Sequence, residues 1–246
     1  MLNFKNFLKG LLPYHLWLYF LFLYHKIKFG ILNIYSCRGE IDKKLKKIIG
    51  EKKRNGFFLE IGAYNGYSES VSLRFENEFG WKGLLIEPNP IHFKYLKKNR
   101  SYNICLNLIC LSKKFLKKKL FIKNLNQMSY IVDNDNKPYF NDYPTDRIKN
   151  LAKDSFSGNF KKFKCTVETL ENIFKKLDIK KIDLAIIDVE GSELDLLKGI
   201  NFNNVDIIYF CIESYNFKKL DKFMKKKKYS FIKKLHLEDY VYKKIS

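Results

Sequence analysis

From Glu40 onward, apolar residues fall into segments that alternate between helical spacing and short continuous runs. Glu40 to Arg54 places Ile41, Leu45, Ile48 and Ile49 on one side and lysines on the other, which predicts a helix closed by Asn55-Gly56. Phe57–Ile61 is an apolar run of strand length. Glu69–Phe79 predicts a second helix, stopped by Gly80, and Leu84–Ile86 a second buried strand. Pro90–Arg100 predicts a helix with Pro90 in its first turn and Phe93 and Leu96 inward, and Ile104–Leu111 is a third apolar run. Further on, the pattern gives a helix over Thr169–Leu177, a strand over Ile182–Asp188, a helix over Ser192–Leu197 and a strand over Val205–Ile212. A basic helix over Phe217–Lys228 and two closing strands, Tyr229–Lys234 and Tyr240–Lys244, complete the series.

Apolar strands alternating with helices predict an α/β fold whose mostly parallel sheet is buried on both faces. The exception is Lys123 to Phe163, which is polar, rich in Asn, Asp and Tyr, and without evident periodicity. A structureless stretch of that length is unusual inside a compact domain. It reads as an insertion on the substrate side of one domain spanning residues 55–246, preceded by a helical segment over residues 1–54.

Within that segment, Leu11 to Tyr24 is the most apolar stretch, but its uninterrupted part runs only from Leu16 to Tyr24. Spanning a bilayer takes about 20 apolar residues. No small-residue cleavage site follows, which disfavours a secretory signal. The stretch suits a helix packed on the domain. It also suits one lying at a membrane surface, with Trp17 and its tyrosines at headgroup level and Lys26 and Lys28 toward anionic lipid.

Composition narrows the classes further. At 46% hydrophobic residues the 246-residue chain has ample material for a core, which excludes a disordered protein. The formal charge of +21 raises the question of an anionic partner. The excess is mostly Lys and runs along the whole chain, so it reads first as solvated surface, with a nucleic-acid partner disfavoured. Cys37, Cys105, Cys110, Cys165 and Cys211 are odd in number, scattered and never in a C-x-x-C pair, which points to reduced thiols in a cytoplasmic protein.

The most informative stretch is Phe58-Leu-Glu60-Ile-Gly62-Ala63-Tyr-Asn65-Gly66-Tyr-Ser68. An acidic residue ends a strand, and two glycines let the backbone turn and approach a ligand. A pyrophosphate-binding turn would read G-x-G-x-x-G; here the pattern is G-x-x-x-G with a carboxylate two residues earlier, better suited to an amino group or sulfonium. The second strand ends in Glu87-Pro88-Asn89-Pro90, where a carboxylate can accept both hydroxyls of a ribose. Two carboxylates beside a phosphate-poor turn suit S-adenosylmethionine better than NAD. The plainer alternative is that Glu87 caps the next helix and Glu60 pairs with a lysine.

These motifs, followed by Gly80-Trp81-x-Gly83, Thr169-Leu170, the run Asp188-Val-Glu190-Gly191-x-Glu193 and Leu197-x-Gly199, resemble the FkbM-type methyltransferase family from about Gly56 to Lys244. The resemblance implies a class I Rossmann-like fold with a seven-stranded, mostly parallel sheet, S-adenosylmethionine as methyl donor, and O-methylation of sugars or other hydroxylated compounds. It implies that Glu60, Gly62, Ala63, Asn65, Gly66, Ser68, Glu87, Pro88, Asn89, Cys110, Ser112 and Asp188 serve the cofactor. The family commonly has Ala then Ser after the third strand, where this chain has Cys110-Leu-Ser112; Cys110 is small enough to close the adenine wall.

Transfer to a sugar hydroxyl needs help from a general base or a metal. Asp188 and Glu190 alternate to the same side of the chain, and Glu213 and His236 follow the last strands, so these four are the catalytic candidates. One of the first pair could instead cap the helix at Ser192. Three carboxylates could hold Mg2+, but the sequence does not favour a metal. Lys113, Lys114 and Lys117–Lys119 read as a solvated surface, with an anionic acceptor such as a nucleotide sugar as the alternative. The sequence therefore predicts an O-methyltransferase acting on a sugar, glycan or glycan precursor. Nucleic-acid methylation and a non-catalytic membrane-associated role are the rivals.

Overall fold

The computed structural model describes residues 13–25, 27–28, 37–50, 52–125, 128–140 and 162–245. The remainder, including most of the middle of the expected insertion, lies outside the described residues. Helix α1 (Tyr14–His25) comes first, followed by a 3-10 turn at Arg38–Glu40 and α2 (Ile41–Ile49). The alternating part runs β1 (Phe57–Ile61), α3 (Ser72–Phe79), β2 (Lys82–Ile86), α4 (Pro90–Asn99), β3 (Ile104–Leu106) and β4 (Ile109–Cys110). Next come β5 (Leu120–Leu125), β6 (Met128–Val132), β7 (Lys162–Cys165), β8 (Val167–Glu168) and α5 (Leu170–Lys176). The chain closes with β9 (Lys181–Ile187), α6 (Glu193–Leu197), β10 (Asp206–Glu213), α7 (Phe217–Lys226), β11 (Tyr229–His236) and β12 (Asp239–Lys244).

Seven strands form the main sheet in the order β3-β2-β1-β9-β10-β12-β11. All pairs from β3 to β10 are parallel, and β12 alone is reversed, being antiparallel to both β10 and β11. This is the seven-stranded, mostly parallel sheet that the sequence resemblance implied. Alternation along the strands sends Leu59, Leu84, Ala185 and Ile187 to one face, where they meet Leu170, Phe174, Leu197 and Met224 from α5, α6 and α7. Phe58, Leu85, Leu184 and Ile186 face the other way, onto Ile41, Leu45, Phe75 and Leu96 from α2, α3 and α4. Each fully buried side chain of this kind contributes about 1.5–3 kcal/mol. Two covered faces are what the continuous apolar runs require.

The stretch expected to be structureless is partly ordered. β5 pairs antiparallel with β6 and β7, with Ile122 opposite Ile131 and Phe163. Leu120 and Ile122 alternate inward and pack with Phe115 and Val167 in a separate small core. That alternation spans too few residues, directly after Lys117–Lys119, to register as a strand signal in the sequence. Other boundaries also move. The third apolar run divides into β3 and β4 at Asn107-Leu108, and β4 leaves the main sheet to pair with β8. Helix α3 starts at Ser72, not Glu69, because Ser70, Val71 and Ser72 turn their donors toward Glu60. α2 stops at Ile49, since Gly50 at φ +108 leaves the helical region.

No helix among the described residues is long and apolar enough to cross a membrane. The 12 residues of α1 rise only about 18 Å against a hydrocarbon core of about 30 Å. Trp17 is buried, whereas Leu16, Tyr19 and Leu23 are exposed.

Candidate active site

A cavity of about 360 Å³ opens at the carboxyl ends of β1, β2, β9 and β10. Strand ends hold its rim together: the amides of Gly62 and Ala63 donate to Ile86, that of Asp188 donates to Ile61, and that of Glu87 donates to Leu106. Crevices at this end of an open α/β sheet are where its ligands bind.

Glu87 is 4% exposed, and each of its oxygens accepts one backbone hydrogen bond, from Tyr64 at 2.9 Å and Asn89 at 2.8 Å. A carboxylate has about four acceptor positions, so two remain for a ligand. Glu60 lies at the cavity wall but is committed elsewhere. It accepts from the Ser70 and Ser72 hydroxyls at 2.8 and 2.6 Å and from the Val71 amide at 2.9 Å. Its work is to fix the loop that leads into α3. Arg100 secures the same loop, donating to the Gly66 carbonyl and to Ser70 and Ser72.

Of the other residues expected at the cofactor, Gly62, Ala63, Ser68, Pro88 and Cys110 line the cavity. Asn65, Gly66, Asn89 and Ser112 do not. Asn65 accepts from the Tyr67 and Ser68 amides and shapes the turn. Asn89 caps α4 by accepting from Ile91, so the cap considered as the alternative role of Glu87 belongs to its neighbour. Ser112 donates to Asp195. Asn65 and Asn89 are residue types as well suited to capping as to binding, which is why the sequence did not separate the two uses.

The acidic residues do converge. Asp188, Glu190 and Glu213 each present a carboxylate oxygen within 4.8 Å of the others, and all three line the cavity. Glu190 sits at φ +53 and Gly191 at φ +94, a tight turn whose Gly191 amide donates to Glu193. Asp188 is exposed and lines the cavity. The protein packed around it, followed by the charges of Glu213 and Glu190, holds its carboxyl well above the ordinary range. Burial pushes Glu193 up to about 7 despite the Gly191 amide.

Three further residues had no sequence signal as site residues. Arg38 reaches in from the 3-10 turn and pairs with Glu213 at 2.9 Å, while its amide donates to Glu69. Cys37 lines the cavity beside it, and burial raises its thiol. Asp239, at the start of β12, stands opposite Glu213 and also lines the cavity. Burial, then the charge of Glu213, lifts it to about 7 against the opposing pull of Arg38. His236 does not line the cavity; its ring packs over Gly39, and its Nδ1 is 3.8 Å from Asp239.

Residues 60–232 match the family described as the methyltransferase FkbM domain. The chain belongs to the FkbM methyltransferase family. Among curated proteins the sequence finds no match. Solved structures similar to it include a TehB-like SAM-dependent methyltransferase from Corynebacterium glutamicum, at 10% identity over 92% of this chain and 96% of that one, with a TM-score of 0.45. The METTL16 MTase domain is similar at 12% identity over 89% and 76%, with a TM-score of 0.48. The human methyltransferase 10 domain containing protein gives 12% identity over 82% and 78%, with a TM-score of 0.44. In this FkbM protein the matched segment includes Glu60, Glu87, Asp188, Glu190 and Glu213, whereas Arg38 and Asp239 lie outside it.

Proposed function

We propose that this FkbM protein transfers a methyl group from S-adenosylmethionine to a hydroxyl of a sugar, glycan or glycan precursor. The observation that carries the reading is Glu87: a buried carboxylate at the end of β2 that keeps an acceptor position on each oxygen beside the cavity. Two adjacent ribose hydroxyls fit those positions. Gly62 allows close approach of a ligand to the backbone, and Leu108, Ile109 and Cys110 offer an apolar wall for an adenine. A volume of about 360 Å³ lies within the range of small-molecule sites, about 300–1,000 Å³.

The cofactor would supply a methyl carbon made electrophilic by a sulfonium. The chain supplies the acidic cluster at the β9 and β10 ends. A hydroxyl brought there forms its bond to the methyl carbon as the sulfur–methyl bond breaks, and its proton needs a receiver. Asp188 suits that role. A carboxylate whose surroundings resist ionisation is a stronger base than an ordinary one. Glu213 is held by Arg38, and Glu190 by the turn it sits on, so the receiving group stays in place.

Purified protein should carry S-adenosylmethionine or its demethylated product, detected by mass spectrometry of the denatured supernatant. It should also transfer labelled methyl groups into the glycan or nucleotide-sugar fraction of a cell extract. Label appearing only in nucleic acid would replace the sugar acceptor with a polynucleotide.

A further inference from the structure

Helix α1 turns apolar side chains to solvent. It contains no Asp, Glu, Lys or Arg. Leu16, Tyr19 and Leu23 are spaced by three and four residues and share one face, and Ile27 continues the spacing just past the helix end. Their exposure runs from 40% at Leu23 to 52% at Ile27. Trp17 points elsewhere; it is buried, and its ring stacks on Phe20 at 5.7 Å. A helix packed on a domain in water turns polar residues outward. Here Trp17 is turned inward and the outward stripe is still apolar.

The stripe lies in acid-free surroundings. None of the chain's 26 acidic residues falls within residues 1–39 or 88–132, the stretches that contain α1 and α4. On α4 the Tyr95 phenol is raised by burial and then by Tyr19 of α1, which sets these two side chains near each other. Lys94 and Lys98, one residue before Tyr95 and three after it, are exposed on the same flank of α4. Beyond the other end of α1, Lys28 is half-buried, with its Nζ 5.8 Å from the centre of the Tyr24 ring. The apolar stripe is thus bordered by cations, with no acid on either helix.

We propose that α1 lies in the headgroup layer of an anionic membrane, with Leu16, Tyr19, Leu23 and Ile27 toward the acyl chains and Lys28, Lys94 and Lys98 meeting lipid phosphates. Tyr19 and Tyr24 carry an apolar ring and a polar tip, as side chains at this depth do. A helix of about 18 Å is too short to cross and long enough to lie in the plane. Lysines within about 10 Å of anionic lipid add attraction that salt screens. A second copy of the chain is the other occupant for such a face, and it fits less well. One side of an 18 Å helix about 10 Å wide offers about 180 Å2 per copy, whereas a stable interface buries about 1,200–2,000 Å2 in total. Two chains of charge +21 also repel each other. None of these residues lines the cavity, so the membrane surface stands apart from the transferase reading.

Flotation of the full chain with vesicles of phosphatidylglycerol and phosphatidylcholine tests the surface. The protein should float with them, bind pure phosphatidylcholine vesicles at least about tenfold more weakly, and lose binding as salt rises. Leu16→Gln combined with Leu23→Gln should weaken partitioning at least about tenfold, since both side chains would leave the acyl region. Both positions are exposed, and thermal unfolding checks that the variant is folded. Lys94→Gln combined with Lys98→Gln leaves the apolar stripe intact and should weaken binding while flattening its salt dependence. Absence of flotation with the anionic vesicles, or equal flotation of the parent and either folded double variant, overturns the proposal. Equal binding to neutral and anionic vesicles overturns it as well. A dimer in sedimentation equilibrium that the leucine variant abolishes, without vesicle binding, gives the face to a second copy instead.

Discussion

Gly62 and Asp188 touch where two strands end: a Cβ on Gly62 would lie 1.9 Å from the carbonyl oxygen of Asp188. Gly62 also adopts φ +86, a conformation that costs a side-chain-bearing residue free energy. The turn after β1 and the acidic end of β9 are therefore in register through one missing methyl group. Gly62→Ala must move the β9 end or the turn, and we expect a loss of about 2 kcal/mol or more of stability together with weakened cofactor binding. Urea unfolding measures the first and calorimetry the second. A variant within about 0.5 kcal/mol of the parent would show that the contact relaxes freely.

Glu87 offers a cleaner test of binding. Two hydroxyls on one carboxylate contribute about 1.5–3 kcal/mol each, so Glu87→Ala should weaken S-adenosylmethionine at least about tenfold. Part of the loss can come from the Tyr64 and Asn89 amides it now holds. Glu87→Gln, which keeps one carbonyl oxygen, should lose less. Unchanged affinity of both variants would remove Glu87 from the ribose site.

The sheet was legible because each central strand is a continuous apolar run, a pattern that only two covered faces explain. The acidic candidates Asp188, Glu190 and Glu213 were legible from their places at strand ends. What escaped was whatever depends on tertiary approach. Arg38 enters the cavity from a turn about 175 residues before Glu213, and no local pattern marks it. Asp239 becomes a site residue only through the reversed pairing of β12 with β10. Glu60 was recognisable as important, but its bonds to Ser70 and Ser72 were not, because those serines looked like the start of a helix. The turn and cap bonds of Asn65 and Asn89 were not legible, because a capping asparagine and a ligand-binding one read alike in sequence.

Glu190 and Asp188 separate chemistry from binding. Glu190→Gln and Asp188→Asn should keep cofactor affinity within about threefold while lowering methyl transfer at least about a hundredfold, the range of general-base and electrostatic assistance. Labelled-methyl incorporation into cell-extract glycans gives the rate. Near-normal transfer by both variants would move the base to Glu213.

The buried acid Glu193 makes stability depend on pH. Its carboxyl titrates at about 7 in the folded chain, against 4.5 as the reference, because burial disfavours the charged form. A folded-state value above the unfolded one means that this group's contribution is complete below about 4.5. It is lost as pH rises through about 7. One unit is worth about 1.4 kcal/mol, so the loss amounts to a few kcal/mol between those limits. Asp239, also near 7, acts in the same direction. Glu193→Gln keeps an oxygen for the Gly191 amide and has no proton to lose. Urea unfolding at pH 5 and pH 8 should therefore show a smaller difference in the variant than in the parent. Equal differences in the two proteins would mean that Glu193 is already ionised in the folded state at pH 5.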